Sequence, residues 1–272
     1  MTENTNMDSK DIHQGMPCWS ELAAQDWAEA KQFYQAFMGW KMADMPLPEG
    51  AYTMISLEDV DIGALYPVED DPCSPMLGWC IYFAVNDIHA SLMAVQAAGG
   101  EVRLGPHQVG QAGFMAQVAD PEGAVFCLWQ ANEHQGAPFG GGNHHLCWVE
   151  LACQDADSCQ HFYQQVLGWQ CRTLPINGMD YRECSVAETP VAGILEMTSD
   201  WGDMPSHWML YFQVADCDDS ANLALSLGAK TCVPPTDIAN VGRFSVINDP
   251  QGATFSIIAL EATNADAADK DQ

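Results

Sequence analysis

Basic residues are scarce in this chain of 272 residues: nine Lys and Arg stand against 37 Asp and Glu, for a formal charge of −28. Binding to nucleic acid or to anionic lipid relies on clustered Lys and Arg, because these side chains neutralise phosphate. The composition therefore excludes nucleic acid as an expected partner. It predicts a strongly solvated acidic surface instead.

Long apolar runs are also lacking. No segment approaches the roughly 20 apolar residues that a membrane helix needs, and residues 1–14 are polar, without the apolar core of a signal sequence. We therefore expect a cytoplasmic protein with no membrane partner. The eleven cysteines form no C-x-x-C pair. An odd number scattered through apolar segments predicts free thiols in a reducing compartment.

The chain contains an internal repeat. Trp19 recurs as Trp148, and the later matches keep this offset of 129 residues. The repeated sets include Glu21-Leu22-Ala23 with Glu150-Leu151-Ala152, Phe33-Tyr34 with Phe162-Tyr163, Gly39-Trp40 with Gly168-Trp169, and Asp120-Pro121 with Asp249-Pro250. Each copy has the length of a small domain. We predict domains at 15–131 and 146–261, a glycine-rich linker at 132–145, a flexible N-terminus at 1–14 and a disordered acidic tail at 262–272.

Each copy contains the pattern strand, helix and three strands twice. In the first module, Asp26 with Glu29 three residues later forms a capping box, and Gly39 suits the left-handed position that ends the helix. Phe33 and Tyr34 lie between them at helical spacing, which indicates core packing. The segment Asp120-Pro121-Glu122-Gly123 predicts a hairpin turn.

Three motifs, present in both copies, carry a family resemblance. They are W-x-E-L-A-x-Q-D followed by F-Y and G-W, then W-x-x-Y-F-x-V-x-D, then D-P-x-G-A-x-F. The chain resembles the vicinal oxygen chelate superfamily of glyoxalases, bleomycin-resistance proteins and extradiol dioxygenases, in its branch related to lactoylglutathione lyase. The resemblance implies an α+β fold with two tandem glyoxalase-like domains. Each domain would pair two βαβββ modules into a cup-shaped mixed sheet of eight strands, with the helices outside.

The resemblance also implies positions for a divalent metal, which the family holds with His, Glu or Gln side chains. The positions are occupied here by Trp19 and Trp148, Cys80 and Met209, and Cys127 and Ser256. For the fourth ligand Glu196 is only a possible match. Tryptophan cannot bind a metal, and two thiols without a third ligand are more typical of a core, although they could hold a soft metal. We therefore expect no cofactor, while a divalent metal stays an alternative.

The family register also predicts which side chains face the cups. Expected ligand-binding residues are Trp19, Cys80, Cys127 and Trp129 in the first cup, and Trp148, Met209 and Ser256 in the second. Aromatic walls of this kind favour a flat, partly apolar ligand. Glu21 with Tyr82, and Glu150 with Tyr211, are the candidate catalytic pairs, because burial raises the pKa of a carboxyl toward the range of a general acid or base. Alternatively, each pair satisfies two buried polar groups.

One difference between the copies concerns charge. Arg243 in the second copy stands where the first has Phe114. We expect Arg243 to anchor an anionic ligand in the second cup; the alternative is a surface salt bridge.

These observations predict a small-molecule-binding protein with metal-independent acid/base chemistry. The alternatives are a metal-dependent lyase or isomerase like glyoxalase I, and a non-catalytic protein that sequesters a toxic aromatic compound. A homo-oligomer is compatible with the sequence. The sequence leaves open whether the modules pair within a repeat or across repeats.

Overall fold

A computed structural model of the chain describes residues 12–46, 51–68, 77–176 and 178–261. The first repeat consists of β1 (Pro17–Ala24), α1 (Trp27–Met38), β2 (Lys41–Pro46), β3 (Ala51–Leu57), β4 (Val60–Pro67), β5 (Gly78–Ala84), α2 (Ile88–Ala97), β6 (Glu101–Val109), β7 (Gly113–Ala119) and β8 (Val125–Ala131). The second consists of β9 (Leu146–Cys153), α3 (Ala156–Leu167), β10 (Gln170–Ile176), β11 (Met179–Val186), β12 (Thr189–Glu196), β13 (His207–Gln213), α4 (Cys217–Ser226), β14 (Lys230–Ile238), β15 (Gly242–Asn248) and β16 (Thr254–Leu260).

Each repeat forms its own eight-stranded sheet. The orders are β2-β3-β4-β1-β5-β8-β7-β6 and β10-β11-β12-β9-β13-β16-β15-β14. The two modules of a repeat meet where β1 pairs with β5, and β9 with β13, in antiparallel fashion, whereas β1–β4 and β5–β8 are parallel. The modules therefore pair within a repeat. The predicted α+β fold of two tandem domains with mixed eight-stranded sheets is confirmed.

The predicted ends of α1 are confirmed, but its capping box is incomplete, because the Asp26 N–H donates to the Gln251 side chain at 2.7 Å instead of to Glu29. The Asp26 side chain accepts from the backbone N–H of Glu29 at 2.9 Å, and Gly39 ends α1 in the left-handed region at φ 68°. Asp87 caps α2 in the same way. These caps satisfy backbone groups that the helix itself leaves without partners.

The helix-bearing faces of the two sheets pack against each other and share one hydrophobic core. Helix α1 contacts α4, and α2 contacts α3. Across this contact the rings of Trp40 and Phe212 lie 5.4 Å apart, as do those of Phe83 and Trp169. Such aromatic pairs contribute about 0.5–1.5 kcal/mol each beyond their buried area. The helices lie outside the cups, as expected, and they are buried between the domains.

Two parts of the structure differ from the expectations. Cys171 and Cys184, opposite each other on β10 and β11, form a disulfide, so the prediction of free thiols is wrong for this pair. Their Cα atoms are 4.0 Å apart, because directly paired positions of antiparallel strands bring side chains together. Strand β6 runs through Pro106, although proline usually interrupts a strand; an edge strand tolerates it since its outer N–H groups need no partner.

The segment between the domains, 132–145, contains no helix or strand. It nevertheless packs against the first domain: Ala137 donates its backbone N–H to the Cys18 carbonyl at 2.7 Å, and Ala137 and Phe139 are buried. The expected acidic tail and most of the expected flexible N-terminus lie outside the described residues. Among the helices that the structure describes, none is both long and apolar enough to cross a membrane.

Candidate functional site

The first cup has a carboxyl group at its centre. Glu21 lies on β1, opposite Cys80 of β5. Its Oε2 accepts a hydrogen bond from the Tyr82 phenol at 2.5 Å, and its Oε1 accepts one from the Tyr52 phenol at 2.6 Å. The Trp19 indole also donates to Oε1, at 3.3 Å. Three donors from three strands thus converge on one partly buried carboxyl group.

Burial raises the pKa of Glu21, and the hydrogen bonds from Tyr52, Tyr82 and Trp19 oppose that rise. The pKa of the Tyr82 phenol is raised as well, first by burial and then by the negative charge of Glu21. Within the cluster of Glu21, Tyr52 and Tyr82, the carboxyl group is therefore the first to lose its proton as pH rises. The phenols stay protonated and act as donors.

The second cup repeats this arrangement. Glu150 on β9 is 8% exposed and accepts from the Tyr211 phenol at 2.9 Å. Burial raises the pKa of Glu150, while hydrogen bonds from Tyr181 and Tyr211 oppose the shift. The Trp148 indole donates to the Tyr181 hydroxyl at 2.8 Å, so this tryptophan orients the phenol rather than the carboxyl. Both cups therefore carry one glutamate, two tyrosines and one tryptophan at equivalent positions.

A glycine makes room for one of these phenols. Gly193 on β12 is the register partner of Glu150, and a Cβ added to it would lie 1.8 Å from the Tyr181 hydroxyl oxygen. The first cup has Ala64 at the equivalent position, opposite Glu21. The Tyr181 side chain can therefore occupy this position only because residue 193 is a glycine.

The second cup also contains a buried hydroxyl group without a partner. Ser256 on β16 is 1% exposed and lies opposite Tyr211 in the parallel register of β13 and β16. Its Oγ is the one buried side-chain oxygen or nitrogen of the described residues that makes no hydrogen bond. The hydroxyl lies close enough to the Tyr211 phenol to oppose the rise in the pKa of that phenol, so Ser256 and Tyr211 place two polar groups side by side in this wall.

The first cup has a thiol, Cys127, at the position of Ser256, and a second thiol, Cys80, at the position of Met209. Cys80 and Cys127 lie on adjacent strands with their Sγ atoms 3.4 Å apart. Cys127 is buried and Cys80 is partly exposed. The wall around them is apolar and includes Trp19, Trp129 and Tyr82.

The structure brings together all the predicted residues of both cups except Arg243. Phe244 packs on the cup side against Tyr211, with ring centroids 6.3 Å apart. Because side chains alternate along a strand, Arg243 points to the helix side. There its guanidinium donates to Asp218 on α4 at 2.6 and 3.0 Å and to Asp237 at 2.8 Å. The predicted place of Arg243 at the cup mouth is therefore wrong, and it forms a surface salt bridge.

The donor set does not suit the hard divalent metal that the resemblance implied. Trp19 and Trp148 lie at the sheet centre and offer no ligand atom. Glu196, the possible fourth ligand, lies at the end of β12 and accepts from the backbone N–H of Ala156 at 3.1 Å, away from Glu150. One carboxylate beside sulfur and aromatic groups is a poor match for ions that prefer several oxygen or imidazole ligands.

Besides Phe244, the side chains of Tyr52, Tyr181 and His134 lie at the cups and were not among the predicted site residues. Tyr52 and Tyr181 lie on the third strand of each repeat, and their equivalence at the offset of 129 residues was the available signal. His134 comes from the segment between the domains. Its ring packs edge-on against Trp19 at 4.6 Å and near Trp129 at 5.9 Å. Burial lowers the pKa of His134, so this edge of the cup is neutral at pH 7.

Comparison with known proteins agrees with this architecture. The family described as "Glyoxalase/Bleomycin resistance protein/Dioxygenase superfamily" matches residues 18–128, and the "Glyoxalase-like domain" family matches residues 148–258. The chain is 36% identical over 252 residues to "Putative glyoxylase CFP32" of Mycobacterium bovis, with 91% of this chain and 96% of that protein covered. The chain therefore belongs to the glyoxalase/bleomycin resistance protein/dioxygenase superfamily.

Other relatives span the same length. "Anthracycline biosynthesis protein DauV" of Streptomyces sp. (strain C5) is 32% identical over 269 residues, covering 94% of this chain and 97% of that protein. Among solved structures, the Mn(II)-bound glyoxalase from Novosphingobium aromaticivorans superposes with a TM-score of 0.62 at 16% identity, covering 91% of this chain and 83% of the other. A 2,2',3-trihydroxybiphenyl 1,2-dioxygenase from Sphingomonas wittichii gives 0.63 at 15% identity, covering 93% and 94%. At these identities the structures support the fold alone.

Proposed function

We propose that this protein binds a small, flat, partly apolar organic molecule in its cups and exchanges a proton with it through Glu21 and Glu150, without a metal. One observation carries the proposal: in both cups a glutamate with a raised pKa lies beneath two tyrosine phenols. A carboxyl group tuned in this way is a suitable general acid or base near neutral pH.

The phenols have a defined part in this chemistry. As long as Glu21 is ionised, Tyr52 and Tyr82 donate to its two oxygens. When Glu21 takes a proton from a carbon or oxygen of the ligand, its need for donors falls. Tyr82 can then turn its O–H toward the negative charge that develops on the ligand. The two phenols would thus stabilise the ionised carboxylate before the proton transfer, and Tyr82 would stabilise the negative charge on the ligand after it.

The walls suggest the ligand class. Trp19 and Trp129 flank the first cup, and Trp148 and Phe244 flank the second. Faces of this kind accept an aromatic ring system by stacking and burial. The names of two Streptomyces relatives, "Anthracycline biosynthesis protein" DauV and DnrV, support a polycyclic aromatic compound bearing hydroxyl or carbonyl groups.

A probe that is both aromatic and acidic at carbon tests the proposal. We expect 2-tetralone, an aromatic ketone with exchangeable C–H groups beside its carbonyl, to quench tryptophan fluorescence saturably. The protein should also accelerate deuterium uptake from D2O into that ketone, followed by NMR. Glu21→Gln with Glu150→Gln should keep binding and slow the exchange by about 10²–10⁴-fold. Asp59→Asn, at an exposed turn, is the matched control.

Each outcome separates the candidate functions. Unchanged exchange in the double glutamine variant, or no binding of 2-tetralone, would contradict the proposal. Binding without any exchange would support the sequestration function. A metal-dependent reaction like that of glyoxalase I is the second candidate, since the relatives include a named glyoxylase. This second function predicts that the protein converts a hemithioacetal of methylglyoxal, and that the conversion depends on added Mn(II), Ni(II) or Zn(II).

A further inference from the structure

A group of metal-ligating side chains lies between the domains, away from both cups. Glu122 belongs to the Asp-Pro-Glu-Gly turn of the first domain, Cys153 ends β9, and Cys159 lies in the first turns of α3. The carboxylate and the two thiols place their ligand atoms within 4.8 Å of one another. Both cysteines are almost completely buried, at 0% and 1% exposure.

The carboxylate in this group is held in a fixed orientation. Its Oε1 accepts the backbone N–H of Asp155 at 2.8 Å, and its Oε2 accepts the N–H of Gln154 at 2.7 Å and the hydroxyl of Ser206 at 2.5 Å. A carboxylate offers about four lone-pair sites. Three donors therefore orient Glu122 and leave one acceptor site on Oε1.

The second, symmetry-related contact between the domains shows what the same place needs for folding alone. The equivalents of the three ligands are Gln251, Ala24 and Ala30. Gln251 accepts the Asp26 N–H at 2.7 Å and donates to the Asp26 carbonyl at 2.7 Å, so a neutral amide performs the capping. Two alanines fill the core there. Neither capping nor packing requires a carboxylate and two thiols, yet all three occur together at one of the two equivalent contacts between the domains.

We propose that Glu122, Cys153 and Cys159 form a structural site for a thiophilic divalent cation, Zn²⁺, that ties the first domain to the second. Two thiolates and one carboxylate are ligands that zinc takes in tetrahedral sites, with water at the fourth position. With Zn–S near 2.3 Å, the ligand atoms of a tetrahedral site lie about 3.8 Å apart, which is within the 4.8 Å that separates the ligand atoms of this cluster at most. On binding, each thiol releases its proton to solvent as the S–Zn bond forms. The site is independent of the function proposed for the cups.

The repeat supplies an unusually well matched variant. The triple substitution Glu122→Gln, Cys153→Ala and Cys159→Ala installs the residues that the equivalent domain contact already uses, so it is expected to fold. The control is Cys80→Ser with Cys127→Ser, which removes the thiol pair of the first cup. Reduced full-length protein, stripped of metal under denaturing conditions and refolded with Zn²⁺ or Cd²⁺, is analysed for metal content. Thiolate-to-cadmium absorption reports the ligands.

The proposal predicts one tightly held equivalent of metal in the natural chain and in the cup control, and its loss in the triple variant. Zn²⁺ should raise the Tm of the first two proteins and leave that of the triple variant unchanged. Glu122→Gln alone should weaken Zn²⁺ binding while thiolate-to-cadmium absorption persists. Metal that disappears with Cys80 and Cys127, equal metal in the triple variant, or no bound metal in the natural chain would overturn the proposal. Proton exchange on 2-tetralone should be the same in the triple variant and the natural chain.

Discussion

The phenol of Tyr34 in the first domain donates a hydrogen bond to Asp249 of the second, 3.1 Å away. The reciprocal pair, Tyr163 and Asp120, is joined at 3.0 Å. Each tyrosine comes from the first helix of one domain, and each aspartate opens the Asp-Pro-x-Gly turn of the other. The two domains therefore pair with approximate twofold symmetry, as the subunits of a symmetric dimer do.

These paired hydrogen bonds should be important for stability. Tyr34→Phe leaves the buried Asp249 without this donor and removes the acceptor of the Trp79 indole. We expect a loss of about 1.5–3 kcal/mol in the free energy of unfolding, measured by urea denaturation. Lys41→Ala, which breaks an exposed ion pair with Asp59, should cost no more than about 0.5 kcal/mol. Equal effects of the two substitutions would contradict this account.

The raised pKa of Glu150 predicts that the free energy of unfolding depends on pH. Between its unfolded value near 4.5 and its raised folded pKa, the folded state binds the extra proton. Stability from this group is therefore greatest below pH 4.5 and falls as pH rises through that window. Glu150→Gln removes the titration, while Tyr181 and Tyr211, which face it, stay neutral. The unfolding free energy of Glu150→Gln relative to the natural chain should increase from pH 4 toward pH 8; a flat difference would refute the shift.

The glycine beneath Tyr181 offers a test of the second cup. Gly193→Ala places a methyl group where the phenol lies, so Tyr181 must move away from Glu150 and Trp148. Overpacking of this kind costs about 1–3 kcal/mol. We expect that loss in the unfolding free energy, together with weaker binding of 2-tetralone in the second cup. Ala64→Gly at the equivalent site of the first cup is the control and should leave Tyr52 in place.

The Cys171–Cys184 disulfide should contribute to stability only under oxidising conditions. Its two cysteines are 13 positions apart in the sequence, and closure of this loop in the unfolded chain is expected to stabilise the fold by about 3 kcal/mol. A variant with both cysteines changed to alanine should be less stable than the natural chain without reductant, and much closer to it with dithiothreitol. Peptide mapping without reduction should recover the linked pair. Finding both thiols free would show that the bridge does not form.

The acidic surface predicts a response to salt. With a formal charge of −28, like charges repel across the folded surface. Raising the ionic strength from about 0.1 M to 1 M shortens the screening length from about 10 Å to about 3 Å. The Tm should therefore rise when NaCl is added. A fall over this range would indicate that the ion pairs, such as Arg243 with Asp218, outweigh the repulsion.

The sequence by itself determined the duplication, and its family resemblance indicated the α+β fold and the residues that face the cups. Local rules determined the ends of α1, at Asp26 and Gly39, and the period of two along β1 and β9 places Trp19 with Glu21, and Trp148 with Glu150, on one face. The five predicted residues around the first carboxyl group meet there because their strands are central.

Only the tertiary structure decided which partners reach those carboxyl groups. Tyr52 and Tyr181 lie on strands whose register depends on contacts distant in the chain. Arg243 lies on the other face because its neighbour Phe244 faces the cup and side chains alternate along the strand. The same holds for the pairing of the helix-bearing faces, the Cys171–Cys184 bridge and the meeting of Glu122 with Cys153. These contacts join residues of different elements, whose relative positions a local sequence pattern does not specify. Their geometry therefore follows from the packing of the whole chain.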